Sequence, residues 1–106
     1  MASGRLGVAD LSATTVTDVY TVPAAKLTTC TVSLVNRNTT AVTVRLAISD
    51  TTVTQGNDEF IEYDTTILAK GVLERTGLVM DAGKILTVYS STANVSAVVW
   101  GFEETA

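Results

Sequence analysis

The side chains best suited to chemistry in this sequence are four acids that stand close together, Asp58, Glu59, Glu62 and Asp64. Paired carboxylates cleave glycosidic bonds, and clusters of them hold calcium. Glu62 and Asp64 are two residues apart in a run of strand-forming residues, so alternation places both on one face with Phe60. The plainer reading is a solvated strand face, or ion-pair partners for Arg45, Arg75 or Lys70, and we prefer it.

Little else in the chain supports catalysis. There is no histidine, which removes Ser-His-Asp and Cys-His nucleophile activation and the commonest transition-metal ligand. One cysteine excludes tetrahedral zinc and iron–sulfur sites, and no glycines have phosphate-loop spacing. No enzyme, no metal and no cofactor is therefore expected. Cys30 falls at an inward strand position, where it acts as a small buried hydrophobe. Trp100, Val98 and Phe102 share one strand face. An exposed aromatic there would make a glycan platform, but Trp100 and Val98 are expected in the core, because buried aromatics anchor sandwich interiors. Asn38-Thr39-Thr40 and Asn94-Val95-Ser96 match the glycosylation acceptor pattern but read more simply as turn asparagines.

Charge narrows the partners. The net charge is -4 and the seven Lys and Arg residues are scattered singly. Phosphate neutralisation and anionic lipid surfaces both require basic clusters, so neither nucleic acid nor membrane is expected. No apolar run approaches the roughly 18 residues of a membrane helix. Asp10 interrupts any signal-like apolar region after Met1–Arg5.

The elements that must carry these residues are strands. Hydrophobic residues make up 46% of 106 residues, enough for one domain with a core and no disulfides. Thr and Val dominate, and both fit a pleated surface. Leu27 to Asp50 reads as a β-hairpin: Cys30, Val32 and Leu34 alternate with Thr31 and Ser33, then Val42, Val44, Leu46 and Ile48 alternate with Thr43, Arg45 and Ala47. Asn36 to Thr40 is the polar connection between the two runs. Asp18–Val22 is a short strand stopped by Pro23, the only proline. Thr51–Glu59 is a polar surface loop. Further strands are predicted over Phe60–Ile67, Val72–Met80 with a bulge or bend at Gly77, Ile85–Tyr89 and Val95–Glu103. Residues 1–12 are an N-terminal arm or edge strand, and residues 13–106 the main domain. The expected fold is an all-β antiparallel sandwich of seven or eight strands, a jelly roll or alternatively an immunoglobulin-like one.

Outward positions rich in Thr make a flat, uncharged β surface suited to packing against identical neighbours. A symmetric homo-oligomer is therefore expected. Its interface residues would be Arg5, Leu6, Val8 and Leu11 of the arm, Thr31 and Arg45 of the outward hairpin face, and Asn57 and Asp58 of the loop.

A wider layout is also recognisable. Tyr20-Thr21-Val22-Pro23 leads into a Thr/Val run carrying Asn36-Arg37-Asn38, and Val42-Thr43-Val44-Arg45-Leu46-Ala47 follows. Later come Ile61-Glu62-Tyr63-Asp64, then Gly71-Val72-Leu73-Glu74-Arg75-Thr76-Gly77, then Asp81-Ala82-Gly83-Lys84 and the closing Trp100-Gly101-Phe102-Glu103-Glu104. This arrangement, from about Arg5 to Glu104, resembles the small β-sandwich structural proteins of tailed bacteriophages, of the cyanophage and marine-phage type. The resemblance implies a virion component assembled in the host bacterial cytoplasm. Its partners would be the major capsid protein or other virion proteins. A capsid decoration or cement subunit, acting as a homotrimer with residues 1–12 as docking arm, is the first expectation. A tail, neck or fibre-associated module, structural or glycan-binding, is the alternative.

Overall fold

Runs in which every second residue is Val, Leu, Ile or Cys bury one side of a strand and leave Thr, Ser or charge on the other. The computed structural model, which describes residues 3–52 and 54–106, folds these runs into strands only. They are β1 (Ser3–Leu11), β2 (Thr17–Thr21), β3 (Lys26–Asn36), β4 (Val42–Ser49), β5 (Phe60–Ile67), β6 (Val72–Asp81), β7 (Ile85–Ser90) and β8 (Val95–Thr105). All ladders are antiparallel, in two four-stranded sheets of order β1-β8-β3-β6 and β2-β7-β4-β5. We call these the first and second sheets.

The order identifies a jelly roll. β1 pairs with β8, β2 with β7, β3 with β6 and β4 with β5. The chain therefore doubles back once, and the doubled ribbon rolls up so that alternate pairs fall in opposite sheets. The Cα radius of gyration, 13.1 Å, is that of one domain of this length.

The wound topology overturns the hairpin expected over Leu27–Asp50. β3 and β4 do not pair; each lies in a different sheet, and the connection between them is a sandwich corner. Alternation predicted both strands and their buried faces but not the partner, because register within a strand carries no information about which edge it joins. The corner is held by Asn36, which is fully buried. Its Nδ2 donates to the carbonyls of Thr40, Ile67 and Leu68 at 2.9–3.1 Å, and its Oδ1 accepts from the Asn38 backbone N–H at 2.9 Å. One side chain thus ties the β3–β4 and β5–β6 connections together.

The core lies between the sheets. Cys30, Val32, Leu34, Ala97 and Val99 from the first meet Val44, Leu46, Leu86 and Val88 from the second, all at most 2% exposed. Burial pushes the Cys30 thiol up to about 11, which keeps it an inert hydrophobe beside Met80. Among the described residues every buried side-chain nitrogen and oxygen has a hydrogen-bond partner.

Residues 3–11 form a full edge strand that runs along β8 from Ser3 opposite Phe102 to Leu11 opposite Val95. Met1 and Ala2 of the expected arm, and Val53 of the expected loop, lie outside the described residues. The bulge expected at Gly77 is present: φ is +68° there, and the β3–β6 register shifts between Cys30/Leu78 and Val32/Arg75.

Candidate functional site

Each sheet has an outer face, and the residues singled out from the sequence divide between them. Thr29, Thr31 and Ser33 lie on the outer face of the first sheet, whereas Thr43 and Arg45 lie on the second sheet, turned away from it. The Thr-rich surface expected to be continuous across a hairpin is therefore two surfaces on opposite sides of the molecule.

The first sheet's outer face is the more apolar. Val95, Ala97 and Val99 of β8 are completely buried, so alternation turns Val98, Trp100 and Phe102 outward. Trp100 is 37% and Phe102 42% exposed, which corrects the expectation that Trp100 and Val98 belong to the core. The sequence groups the three correctly on one face, but alternation alone does not say which face is inside. Across the ladders Trp100 stands between Arg5 and Thr31, Phe102 between Ser3 and Thr29, and Val98 between Val8 and Ser33. Thr29 is followed on β6 by Val79, itself 62% exposed, and Val8 is 53% exposed. The result is a flat face of Val8, Val98, Trp100, Phe102 and Val79 interleaved with Ser and Thr. Arg5, Asp10, Glu74 and Asp81 stand on its edge strands.

Of the eight expected interface residues, Arg5, Val8 and Thr31 converge on this face. Leu6 occupies a bulge and packs half-buried against the core. Leu11 is 2% exposed within the sandwich and is closed to any partner. Arg45, Asn57 and Asp58 belong to the other side of the molecule, on and beside the second sheet.

The four acids do not form a common site. Glu62 and Asp64, expected on one face, are separated by a register shift in β5 between Val44, opposite Thr65, and Leu46, opposite Glu62; a second shift lies between Glu62 and Phe60. Glu62 reaches across the open flank of the sandwich to Arg75 of β6, with Oε2 accepting from Nη1 at 2.5 Å, and its Oε1 accepts from the Thr65 hydroxyl at 2.7 Å. The Thr65 bond, aided by Arg75, holds this carboxyl below its ordinary value. Asp64 turns outward and receives Arg45 Nε at 2.7 Å and Nη2 at 3.3 Å; that bond lowers the acid and raises the base. Glu59 spans the 50–59 connection, accepting the Gly56 N–H at 2.8 Å and the Asp50 N–H at 3.1 Å. Among the described residues no three His, Cys, Asp or Glu side chains come together as metal ligands. The ion-pair reading with Arg45 and Arg75 accounts for Asp64 and Glu62.

Asn38 and Asn94 both lie in connections, as expected of turn asparagines. Asn38 Nδ2 donates to the Ala93 carbonyl at 2.9 Å, and Asn94 adopts a left-handed φ of +64°. What the sequence did not disclose is the aromatic stack on the second sheet: the Arg45 guanidinium carbon sits 4.3 Å from the Tyr63 ring centroid and 5.0 Å from that of Tyr89. Tyr89 is the cross-strand neighbour of Arg45, but the bulge that brings Tyr63 over it has no sequence signature.

No family model matches the chain, nor does any curated protein or any solved structure.

Proposed function

We propose that this chain is a structural subunit of a tailed-phage virion, a capsid decoration or cement protein that binds the particle through protein–protein contacts. The observation that carries the reading is the first sheet's outer face. A flat, exposed surface of Val8, Val79, Val98, Trp100 and Phe102 without convergent reactive groups suits contact between proteins, and it accompanies the virion-like layout of the sequence. Aromatic anchors at the centre of such a face are the side chains that dominate binding energy.

Size decides how the face works. Four strands about 4.8 Å apart and eight residues long cover on the order of 500 Å². A stable pairwise interface needs about 800 Å² on each partner, so this face alone gives a weak contact. Attachment in many copies, or as a trimer that presents three faces at once, raises effective concentration enough to compensate. The trimer is part of the proposal, with the major capsid protein or another virion protein as the surface it grips.

The exposure of Trp100 also meets the requirement of the tail-associated, glycan-binding alternative. Its surroundings favour protein: Thr31, Val98 and Phe102 stand beside it on one open sheet face, whereas small-ligand sites are concave. The test is image reconstruction and mass spectrometry of intact particles. Density for an eight-stranded jelly roll lying with β8 against the capsid is the expected result. Absence of the chain from purified particles ends the proposal.

A further inference from the structure

The outer side of the second sheet carries a cleft of about 340 Å³ lined by Asn57, Phe60 and Tyr63. We infer that this cleft binds a neutral sugar ring. The inference does not depend on the virion assignment, since it concerns a different surface with a different chemistry.

Its walls are two aromatic rings packed edge to face at 80° with centroids 4.9 Å apart, so the lining turns a corner and is not a flat patch. Tyr63 is 57% exposed although it is a large ring on a strand. The bulged register of β5 carries it out of the ladder, and the next residue, Asp64, takes a left-handed φ of +52°. A non-glycine residue in that region stores strain, and bulges re-aim side chains beside binding sites. The exposed ring is also fixed in place. Arg45 lies against it at 4.3 Å and is itself clamped by Asp64. The opposite rim is fixed too, since both Glu59 oxygens bridge the connection that carries Asn57 and the Glu59 N–H donates to the Gly56 carbonyl at 3.0 Å.

The lining selects the ligand class. A cation is disfavoured because Arg45 already occupies a face of Tyr63 and repels a second positive charge. An anion finds no uncompensated cation among the lining groups, and Asp58 adjoins Asn57 in the same exposed turn. A neutral pyranose suits the corner: its weakly positive C–H edges rest on the negative ring faces, and the Asn57 carboxamide donates to one hydroxyl while accepting from the next. The volume lies near the lower end of the roughly 300–1,000 Å³ typical of ligand clefts, room for one sugar ring.

The test is an amide-shift titration of the isotope-labelled chain by NMR. The probes are methyl α-glucopyranoside, methyl β-galactopyranoside and the methyl glycoside of N-acetylglucosamine, each to about 100 mM. At least one is expected to shift the Asn57, Phe60 and Tyr63 amides saturably with a millimolar Kd. Tyr63→Ala and Asn57→Ala should each weaken it about tenfold or more, and Trp100→Ala should leave it unchanged. Asn57 stands in an exposed turn, so its variant reports on binding even where Tyr63→Ala fails to fold. The inference is overturned by absence of shifts with all three glycosides, by shifts confined to the Trp100 face, by equal affinity in both cleft variants, or by tetramethylammonium binding the cleft more tightly than any sugar.

Discussion

The hydroxyl of Tyr20 on β2 donates to Oε2 of Glu103 on β8 at 2.5 Å, a bond between the two sheets that joins residues 83 positions apart. It also shares a 2.7 Å hydrogen bond with Thr28, the cross-strand partner of Glu103 on β3. Tyr20 and Glu103 are each 8% exposed and Thr28 is completely buried. A carboxylate this deep is tolerable only with a strong donor, which a charge-assisted hydroxyl supplies. At the opposite flank Arg75 and Glu62 perform the same task across β6 and β5. Each flank of the jelly roll is thus closed by a polar tie of its own.

The Tyr20 tie predicts an alkaline limit to stability. Burial, with the Glu103 bond next, raises the phenol from 10.0 to about 12. The folded state therefore holds its proton more tightly than the unfolded one. The resulting stability is fully present below pH 10.0 and is lost as pH rises toward about 12, a change of about 3 kcal/mol. Tyr20→Phe should cost about 1–3 kcal/mol at neutral pH by leaving Glu103 without its donor and the Thr28 hydroxyl without its acceptor. It should also flatten the alkaline decline. Urea melts of both proteins across that range measure it; parallel declines would refute the assignment.

Asn36 makes a second demand on stability. Asn36→Leu keeps the branching and heavy-atom count of the side chain but strips the donor from three carbonyls and the acceptor from the Asn38 N–H at a fully buried corner. The expected loss is about 3 kcal/mol or more, read from the urea midpoint at unchanged slope. A loss below about 1 kcal/mol would mean that the corner is held by its backbone bonds alone.

These two networks mark where the sequence stops being legible. Alternation exposes the strands: Phe60–Ile67 is predicted with the bounds the structure shows, and Cys30 is correctly placed inside. Pairing is a property of distant residues, so the Leu27–Asp50 run reads as a hairpin when its halves in fact belong to opposite sheets. Trp100 fails for a related reason, since a two-residue period defines faces without naming the inner one. The Glu62–Asp64 pair fails because a bulge in β5 cancels the period there. Of the candidate sites, the cleft at Tyr63 depends wholly on that bulge.

Gly101 shows the same dependence on a neighbouring strand. Its φ is +156°, and a Cβ built there would lie 2.1 Å from the Thr29 carbonyl oxygen of β3. That contact is with backbone in the middle of a ladder, so no side chain can turn aside to relieve it. Gly101→Ala should destabilise the fold by about 3 kcal/mol or more. Gly83→Ala, at φ +83° with open space around the missing Cβ, should cost only its backbone strain, about 1–2 kcal/mol. Thermal melts that rank the two variants in reverse would contradict the packing at β3–β8.

On the acid side, Glu62 sets the sign. Its folded carboxyl lies below the ordinary 4.5, through Thr65 first and Arg75 second. The folded state therefore binds its proton less readily, and the stability is present above pH 4.5 and lost as pH falls through the folded value. The Arg75 side chain is 41% exposed, so solvent limits the pair to about 1 kcal/mol or less. The gap in stability between the natural chain and Glu62→Gln should be widest at neutral pH and close on acidification. A gap that grows as pH falls would reverse the assignment.

Docking and folding are separable on the first sheet's outer face. Val79 is 62% exposed on the edge strand β6 and Trp100 37% exposed near the centre of the same outer face. Neither contributes to the buried core, so Val79→Lys and Trp100→Ser should each change stability by about 1 kcal/mol or less. On a face that packs against protein they should nevertheless weaken attachment to particles about tenfold or more, because each places a polar group where water is excluded. Size-exclusion light scattering supplies the control: a trimer that presents this face outward should keep its mass of about 33 kDa, three chains of 11.1 kDa, in the Val79→Lys variant. Co-sedimentation with particles stripped of the chain measures the first effect. Wild-type binding by both variants would move the docking surface away from β8 and leave the first sheet's outer face without a role.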